Sequence, residues 1–295
     1  MGHEHNHDRD SNLQLIMAVA VNVLLTVAQI VGGILSGSLS LIADALHNLS
    51  DAGAILVAII ARSIGNRSAT SSMTYGFKRA EIIGVLINST TLIIVGIYLI
   101  FEAIDKYFNP TPIDGWIVFW VAGIALVIDI ITALLTYNAG AKDNMNIKAA
   151  FIHNVSDALA SVVVIIAALL IINYQLYIFD VIATIGISAY VIYHGILLLK
   201  KSVLIIMQAV PEGVDIAELK HTLKTIDGVS NIEHVHVWQL DDKKIFLEGH
   251  LVLDEGHAEQ IKQRVRSVLK SQFGICHTTL ETSYDIKRAM LDDPI

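Results

Sequence analysis

The sequence is poor in the residues that many catalytic and nucleic-acid-binding proteins depend on. It has one cysteine, Cys276, so it can form no internal disulfide and no Cys-x-x-Cys metal or redox motif. No basic tract stands out and the formal net charge is −8, which argues against nucleic acid as a partner. The apolar stretches contain no HExxH motif, which argues against an intramembrane zinc protease.

Charged residues are scarce as well, and long apolar runs take their place. Only 16% of the residues are charged, 54% are hydrophobic, and the mean hydropathy is +0.60. A chain this apolar is predicted to be a membrane protein, since a bilayer-spanning helix needs about 20 apolar residues. The predicted spans are 13–34, 39–62, 81–104, 115–138, 148–172 and 177–199.

Lysine and arginine are distributed unequally across these spans. With six spans both termini lie on one side, and the tail, loops and span ends on that side carry nine of these residues even without the C-terminal domain, whereas the opposite loops carry only Lys106. The positive-inside rule places the richer side in the cytoplasm. We therefore expect a multi-pass protein with both termini in the cytoplasm.

Three segments are expected. Residues 1–12 form a histidine-rich cytoplasmic tail, which either holds metal loosely or is a disordered polar segment. Residues 13–200 form a transmembrane domain of six transmembrane helices. Residues 203–295 lack an apolar run of membrane length and are predicted to fold as a cytoplasmic α+β domain. Its element order, αββαβ, predicts two helices on one face of a three-stranded sheet.

Two nearly identical stretches, HNLSDA and HNVSDA, lie inside apolar runs. Each sets a histidine four residues before an aspartate, and positions i and i+4 share one face of a helix. His47 with Asp51, and His153 with Asp157, are thus two half-sites that together offer two nitrogen and two oxygen ligands. This set suits a tetrahedral divalent metal, zinc first. A histidine in an apolar helix is more often a hydrogen-bonded core residue, but packing alone does not require the same pair twice.

Other polar residues occur within the predicted spans. Asp44, just before the first motif, could join a polar path to the metal or orient one of its ligands. Asp129 is a candidate for an ion or proton route. For Asn22, Gln29 and Asn88 we favour the simpler role of hydrogen-bonding neighbouring helices together.

The predicted cytoplasmic domain contains six of the twelve histidines. His234 and His236 alternate along a predicted strand and therefore share one of its faces. Together with His250 on the next strand, and with Glu281, they are candidate ligands of a second metal site. The alternative is that they are ordinary surface histidines.

These motifs together resemble the cation diffusion facilitators, close to their bacterial zinc and cadmium exporters. The resemblance rests on the two HNxSDA motifs in spans two and five, on YGFKRAEI before span three, and on HVHVW in the cytoplasmic domain, and it covers nearly the whole chain. It implies a homodimer in the bacterial inner (plasma) membrane that exchanges protons for metal by alternating access. The implied transport site is His47, Asp51, His153 and Asp157.

For the cytoplasmic domain, the resemblance implies dimerisation and metal sensing. The implied ligands are Glu233, His234, His250 and Glu281. Glu233 and Glu281 stand where some members have histidine, whereas His250 matches the family pattern. A further metal site, which some relatives have between spans two and three, is not expected because SSMTYGF does not offer its ligands.

The expected function is proton-coupled efflux of divalent metal from the cytoplasm. Zn²⁺ is the expected substrate, with Cd²⁺, Co²⁺ and Fe²⁺ as further candidates, and in the cytoplasmic domain Zn²⁺ is also a candidate regulatory ligand. No prosthetic group and no enzymatic activity are expected. The alternative function is a membrane-bound sensor that binds metal without moving it.

Overall fold

The computed structural model describes residues 23–65, 67–138, 145–241, 244–254 and 257–284. The histidine-rich tail and Asn22 therefore lie outside the described residues. The chain divides into two compact units. Of the described residues, the first unit contains 23–58 together with 87–199, and the second contains 59–86 together with 200–284.

The described residues of the N-terminal part of the chain form six helices. They are α1 (Val23–Ser36), α2 (Leu39–Gly65), α3 (Ala80–Phe108), α4 (Gly115–Asn138), α5 (Met145–Tyr174) and α6 (Ile178–Ile206). Among the described residues, four of these helices, α3 to α6, are long and apolar enough to cross a membrane. Helix α2 carries Asp44, His47 and Asp51 and is not one of the four. The predicted helical membrane domain is thus confirmed, while the number of six spans stays a prediction.

Large apolar side chains cover the outside of these helices. Phe101, Trp120 and Leu135 are 68%, 63% and 63% exposed, respectively. Such a surface is unfavourable in water and fits contact with lipid chains. The interior is also apolar: Leu41 of α2 and Val164 of α5 belong to one fully buried cluster.

A buried aspartate at the start of α6 fixes the start of α2. The Asp180 carboxylate accepts hydrogen bonds from the hydroxyl groups of Ser38 and Ser40, both at 2.6 Å. It also accepts the backbone N–H of Leu39 at 3.0 Å, one of the donors that a helix start cannot pair by itself. The ammonium group of Lys106 on α3 lies 3.9 Å from the same carboxylate. This cluster joins α2, α3 and α6.

The C-terminal domain has the predicted αββαβ order. Its elements are α7 (Ile216–Lys224), β1 (Val229–Gln239), β2 (Ile245–Leu253), α8 (Ala258–Phe273) and β3 (Ile275–Ser283). Strand β2 lies in the centre, antiparallel to β1 and parallel to β3. Leu247 and Leu251 of β2 belong to a buried cluster with Leu219 of α7 and Val265 of α8. Because side chains alternate along a strand, Phe246 lies on the opposite face of the sheet.

Candidate metal centre

His47 on α2 and His153 and Asp157 on α5 come together inside the first unit. One ligand atom of each lies within 4.8 Å of the others, and no other group of three or more His, Cys, Asp or Glu residues among the described residues is as close. The Asp157 carboxylate lies between the two imidazoles. Its Oδ1 is 3.1 Å from Nε2 of His47, and its Oδ2 is 3.5 Å from Nε2 of His153.

The three side chains differ in how far they are buried. The side chains of Asp157 and His47 are only 10% and 12% exposed, whereas that of His153 is 42% exposed. A carboxylate buried to this degree needs partners that compensate for its lost hydration. Asp157 has two such partners, and His153 is the most accessible of the three groups.

Asp51, the fourth predicted ligand, lies on α2 one turn beyond His47. The described side chains do not include that of Asp51. The structure therefore brings together three of the four predicted ligands, and the complete set of four stays a prediction.

An aromatic side chain on α6 holds the His47 ring from another side. The rings of His47 and Tyr190 meet edge-on with their centroids 5.7 Å apart, and Tyr190 contacts His194 at 4.5 Å. Ring contacts of this kind restrict the rotation of an imidazole. The sequence did not identify Tyr190, because a tyrosine in an apolar helix has no spacing that relates it to a motif on another helix.

The buried Asp44 belongs to a polar bridge between α1 and α2. Its Oδ2 accepts a hydrogen bond from Nε2 of Gln29 at 2.7 Å. The amide of Asn48 donates to Oε1 of Gln29 at 3.0 Å. Gln29 thus joins the two helices, which is the role expected for it.

Asp129 on α4 is also buried, and its Oδ2 accepts a hydrogen bond from the Ser161 hydroxyl at 3.1 Å. Ser161 lies on α5 one turn beyond Asp157. The Ser161 hydroxyl thus links Asp129 to the helix that carries His153 and Asp157. Asp44 and Asp129 both stay candidates for a proton path.

The sheet register aligns Glu233, His250 and Glu281 on neighbouring strands. The rings of His234 and His236 lie 4.6 Å apart. However, β1 has a bulge between Glu233 and His236, and His234 adopts a φ of 49° within it. Simple alternation therefore does not describe this strand, and Glu233 rather than His234 is paired with His250. All four residues stay predictions as cytoplasmic ligands.

Comparison with known proteins identifies the family. The model of the cation efflux transmembrane domain matches residues 15–207, and that of the cation efflux protein cytoplasmic domain matches residues 211–282. The chain belongs to the cation efflux family. The resemblance to the cation diffusion facilitators is thereby confirmed. This protein is a multi-pass membrane protein of a transporter family, and the family is not one of catalysts.

Curated cation efflux proteins match along most of their length. The cadmium, cobalt and zinc/H(+)-K(+) antiporter of Bacillus subtilis is 32% identical, over 95% of this chain and 91% of the relative. Zinc transporter ZitB of Escherichia coli is also 32% identical, over 96% of this chain and 93% of the relative. The metal-bound C-terminal domain of the Cupriavidus metallidurans CzcD transporter is a solved structure that aligns with 24% of this chain and 99% of that domain, at 26% identity and a TM-score of 0.23.

Proposed function

We propose that this protein exports divalent metal from the cytoplasm, Zn²⁺ first, in exchange for protons. The observation that carries the proposal is the meeting of His47, His153 and Asp157 from two separate helices. The names of the relatives add support. The names of the Bacillus subtilis and Escherichia coli relatives both include zinc, and the Bacillus subtilis relative is called an antiporter.

The ligand chemistry favours zinc. Sites for Mg²⁺, Ca²⁺ and Mn²⁺ are built mainly from oxygen, and Cu(I) sites use thiolate or thioether sulfur. A mixed nitrogen and oxygen set fits tetrahedral Zn²⁺ and also admits Cd²⁺, Co²⁺ and Fe²⁺. The proposed transport site is His47, Asp51, His153 and Asp157. Four protein ligands close a zinc site to an activating water, so this set suits carriage of the ion rather than catalysis.

The same atoms account for an exchange with protons. Nε2 of His47 is hydrogen-bonded to Asp157 at 3.1 Å, and a proton must lie between an imidazole nitrogen and a carboxylate in such a bond. A metal bound by these two atoms needs a bare nitrogen and an ionised carboxylate. Protons and metal therefore compete for one site, and an inward proton gradient can drive metal outward.

The remaining parts of the proposal concern location and assembly. The excess of lysine and arginine on one side supports a bacterial inner-membrane protein with both termini in the cytoplasm. We propose a homodimer joined through its cytoplasmic domains, each binding Zn²⁺ as a regulatory ligand. Residues for that regulatory site are Glu233, His234, His250 and Glu281.

A vesicle assay tests the proposal. Purified protein is reconstituted into liposomes that contain a zinc-sensitive dye and a pH dye, and Zn²⁺ is added with and without an imposed pH gradient. We expect zinc flux with opposite proton flux, and loss of both in Asp157→Ala. Asp227→Asn removes an exposed carboxylate of the cytoplasmic domain and serves as the control, which should transport like the wild type.

The alternatives give different results in the same assay. A membrane-bound sensor gives no zinc flux with or without a gradient. A channel gives zinc flux that does not move protons. Either result from active, correctly inserted protein would refute the proposed exchange.

A further inference from the structure

A cavity of about 470 Å³ lies in the second unit, beside the start of α3. One wall is the segment between α2 and α3, residues 72–79, and the other includes Trp238 and Leu240 at the end of β1. Aromatic contacts hold the walls together: Tyr75 meets Phe246 edge-on at 5.7 Å, and Trp238 stacks on Phe246 at 5.8 Å. The size falls in the range of about 300–1,000 Å³ that is usual for small-ligand sites.

A strong donor of one cavity-lining residue has no acceptor in the part of the chain that the structure describes. Nε of Arg79, which lines the cavity, is buried and has no hydrogen-bond partner among the described residues. The neighbouring Lys78 is engaged, since its ammonium group donates to the carbonyl oxygen of Gly65 at 2.6 Å. Buried polar groups are normally hydrogen-bonded, so an unpaired guanidinium nitrogen beside a cavity indicates a ligand that brings the acceptor.

The composition of the cavity indicates which acceptor fits. The lining contains Lys78 and Arg79 but neither aspartate nor glutamate, so its charge is positive. A guanidinium group uses Nε together with a terminal nitrogen as a planar fork that matches two oxygens of a phosphate or a carboxylate. Hydroxyl groups of Ser72 and Thr74 and the amide of Gln208 add further polar groups, and the aromatic walls suit an apolar remainder.

We propose that this cavity binds the phosphate group of an anionic ligand through Arg79. Phosphate is favoured over carboxylate because the cavity opens at the first residue of α3, a helix long enough to cross the membrane, where phospholipid headgroups lie. A phospholipid headgroup and a soluble phosphate share this chemistry, and the test below separates them. The proposal does not depend on the metal centre.

Tryptophan fluorescence of the full-length protein provides the test. The chain has three tryptophans, so the double variant Trp116→Phe/Trp120→Phe leaves Trp238 in the cavity wall as the sole reporter. This protein, in detergent, is titrated with short-chain phosphatidylglycerol, short-chain phosphatidylcholine, glycerol 3-phosphate and inorganic phosphate. We expect a saturable change in emission with phosphatidylglycerol, at least tenfold stronger in apparent affinity than with phosphatidylcholine.

Variants of Arg79 decide the role of the guanidinium group. In Arg79→Gln the affinity should fall about tenfold or more, because a charge-assisted bidentate contact is lost. Arg79→Lys keeps the charge without the planar fork, so its affinity should lie between those of the wild type and Arg79→Gln. Arg79→Lys also provides the test if Arg79→Gln does not elute as a single species. Lys224→Gln removes an exposed positive charge from α7 and should bind like the wild type.

The outcomes separate clearly. Equal binding by inorganic phosphate, glycerol 3-phosphate and phosphatidylglycerol supports the anion site and identifies a soluble phosphate as its ligand. Selective binding of phosphatidylglycerol supports the site and identifies a lipid headgroup. The proposal is overturned if no phosphate-bearing compound changes the Trp238 emission, or if Arg79→Gln and Arg79→Lys both titrate like the wild type.

Discussion

Replacing Asp157 by asparagine should remove most of the zinc affinity of the membrane domain. The change keeps the shape of the side chain, but it removes the negative charge that lies 3.1 Å from His47 and 3.5 Å from His153. Loss of a group that only orients a metal ligand costs about 10–100-fold in affinity. Asp157 is placed both to supply an oxygen and to orient His47, so we expect a loss of about 100-fold, or about 2.8 kcal/mol.

The measurement is a competition titration of Zn²⁺ against a chelator of known affinity, with wild-type and variant protein in the same detergent. Asp129→Asn is the matched control, because this carboxylate is also buried and hydrogen-bonded but lies outside the three-residue group. The control should keep most of the affinity. If Asp157→Asn binds zinc like the wild type while Asp129→Asn loses it, the ion is not held by the group around Asp157.

Three further changes test other parts of the molecule. His47→Asp replaces a nitrogen ligand by oxygen and should broaden or shift selectivity toward Cd²⁺ or other metals. An unchanged ratio of zinc to cadmium uptake in vesicles would show that ligand type does not determine metal selectivity. Asp180→Ala leaves Lys106 buried without its counter-charge and should lower the free energy of unfolding of the helical unit by about 3–5 kcal/mol. Thermal unfolding should give Asp180→Ala a lower apparent Tm than Asp180→Asn. Leu251→Ala opens a cavity at a fully buried position and should lower the free energy of unfolding of the cytoplasmic domain by about 2–5 kcal/mol. The loss is measurable as faster amide exchange in β2 of the full-length protein, while zinc selectivity in vesicles should be unchanged.

The parts of the structure that the sequence predicted depend on local patterns. Apolar length predicted the helices, and alternating and amphipathic segments predicted the αββαβ order. His153 and Asp157 could be paired because they lie one turn apart on a single helix. Their meeting with His47 was predictable because the motif occurs twice. Among the described helix ends, the end of α6 differs most from its prediction: α6 continues through Lys200 and Lys201 to Ile206, since lysine side chains can reach water from the end of a membrane helix.

The parts that the sequence did not predict depend on partners far along the chain. Asp180 caps the start of α2 from 140 residues away, and no local pattern relates an aspartate in one helix to the N-terminus of another. Tyr190 contacts His47 only because α6 packs beside α2. The bulge in β1 changes the pairing of His234, and a strand of ordinary composition gives no sign of where one extra residue is inserted.

The division of the metal ligands between two helices has a consequence for transport. His153 and Asp157 share α5, so their separation is fixed by one turn of that helix. His47 belongs to α2, whose position is set elsewhere, by Asp180 at its start and by Gln29 beside Asp44. A small shift of α2 against α5 therefore changes the His47 to Asp157 distance and leaves the His153 to Asp157 distance unaltered. A metal site that spans two helices in this way loses affinity when they move apart, which is the coupling that alternating access requires.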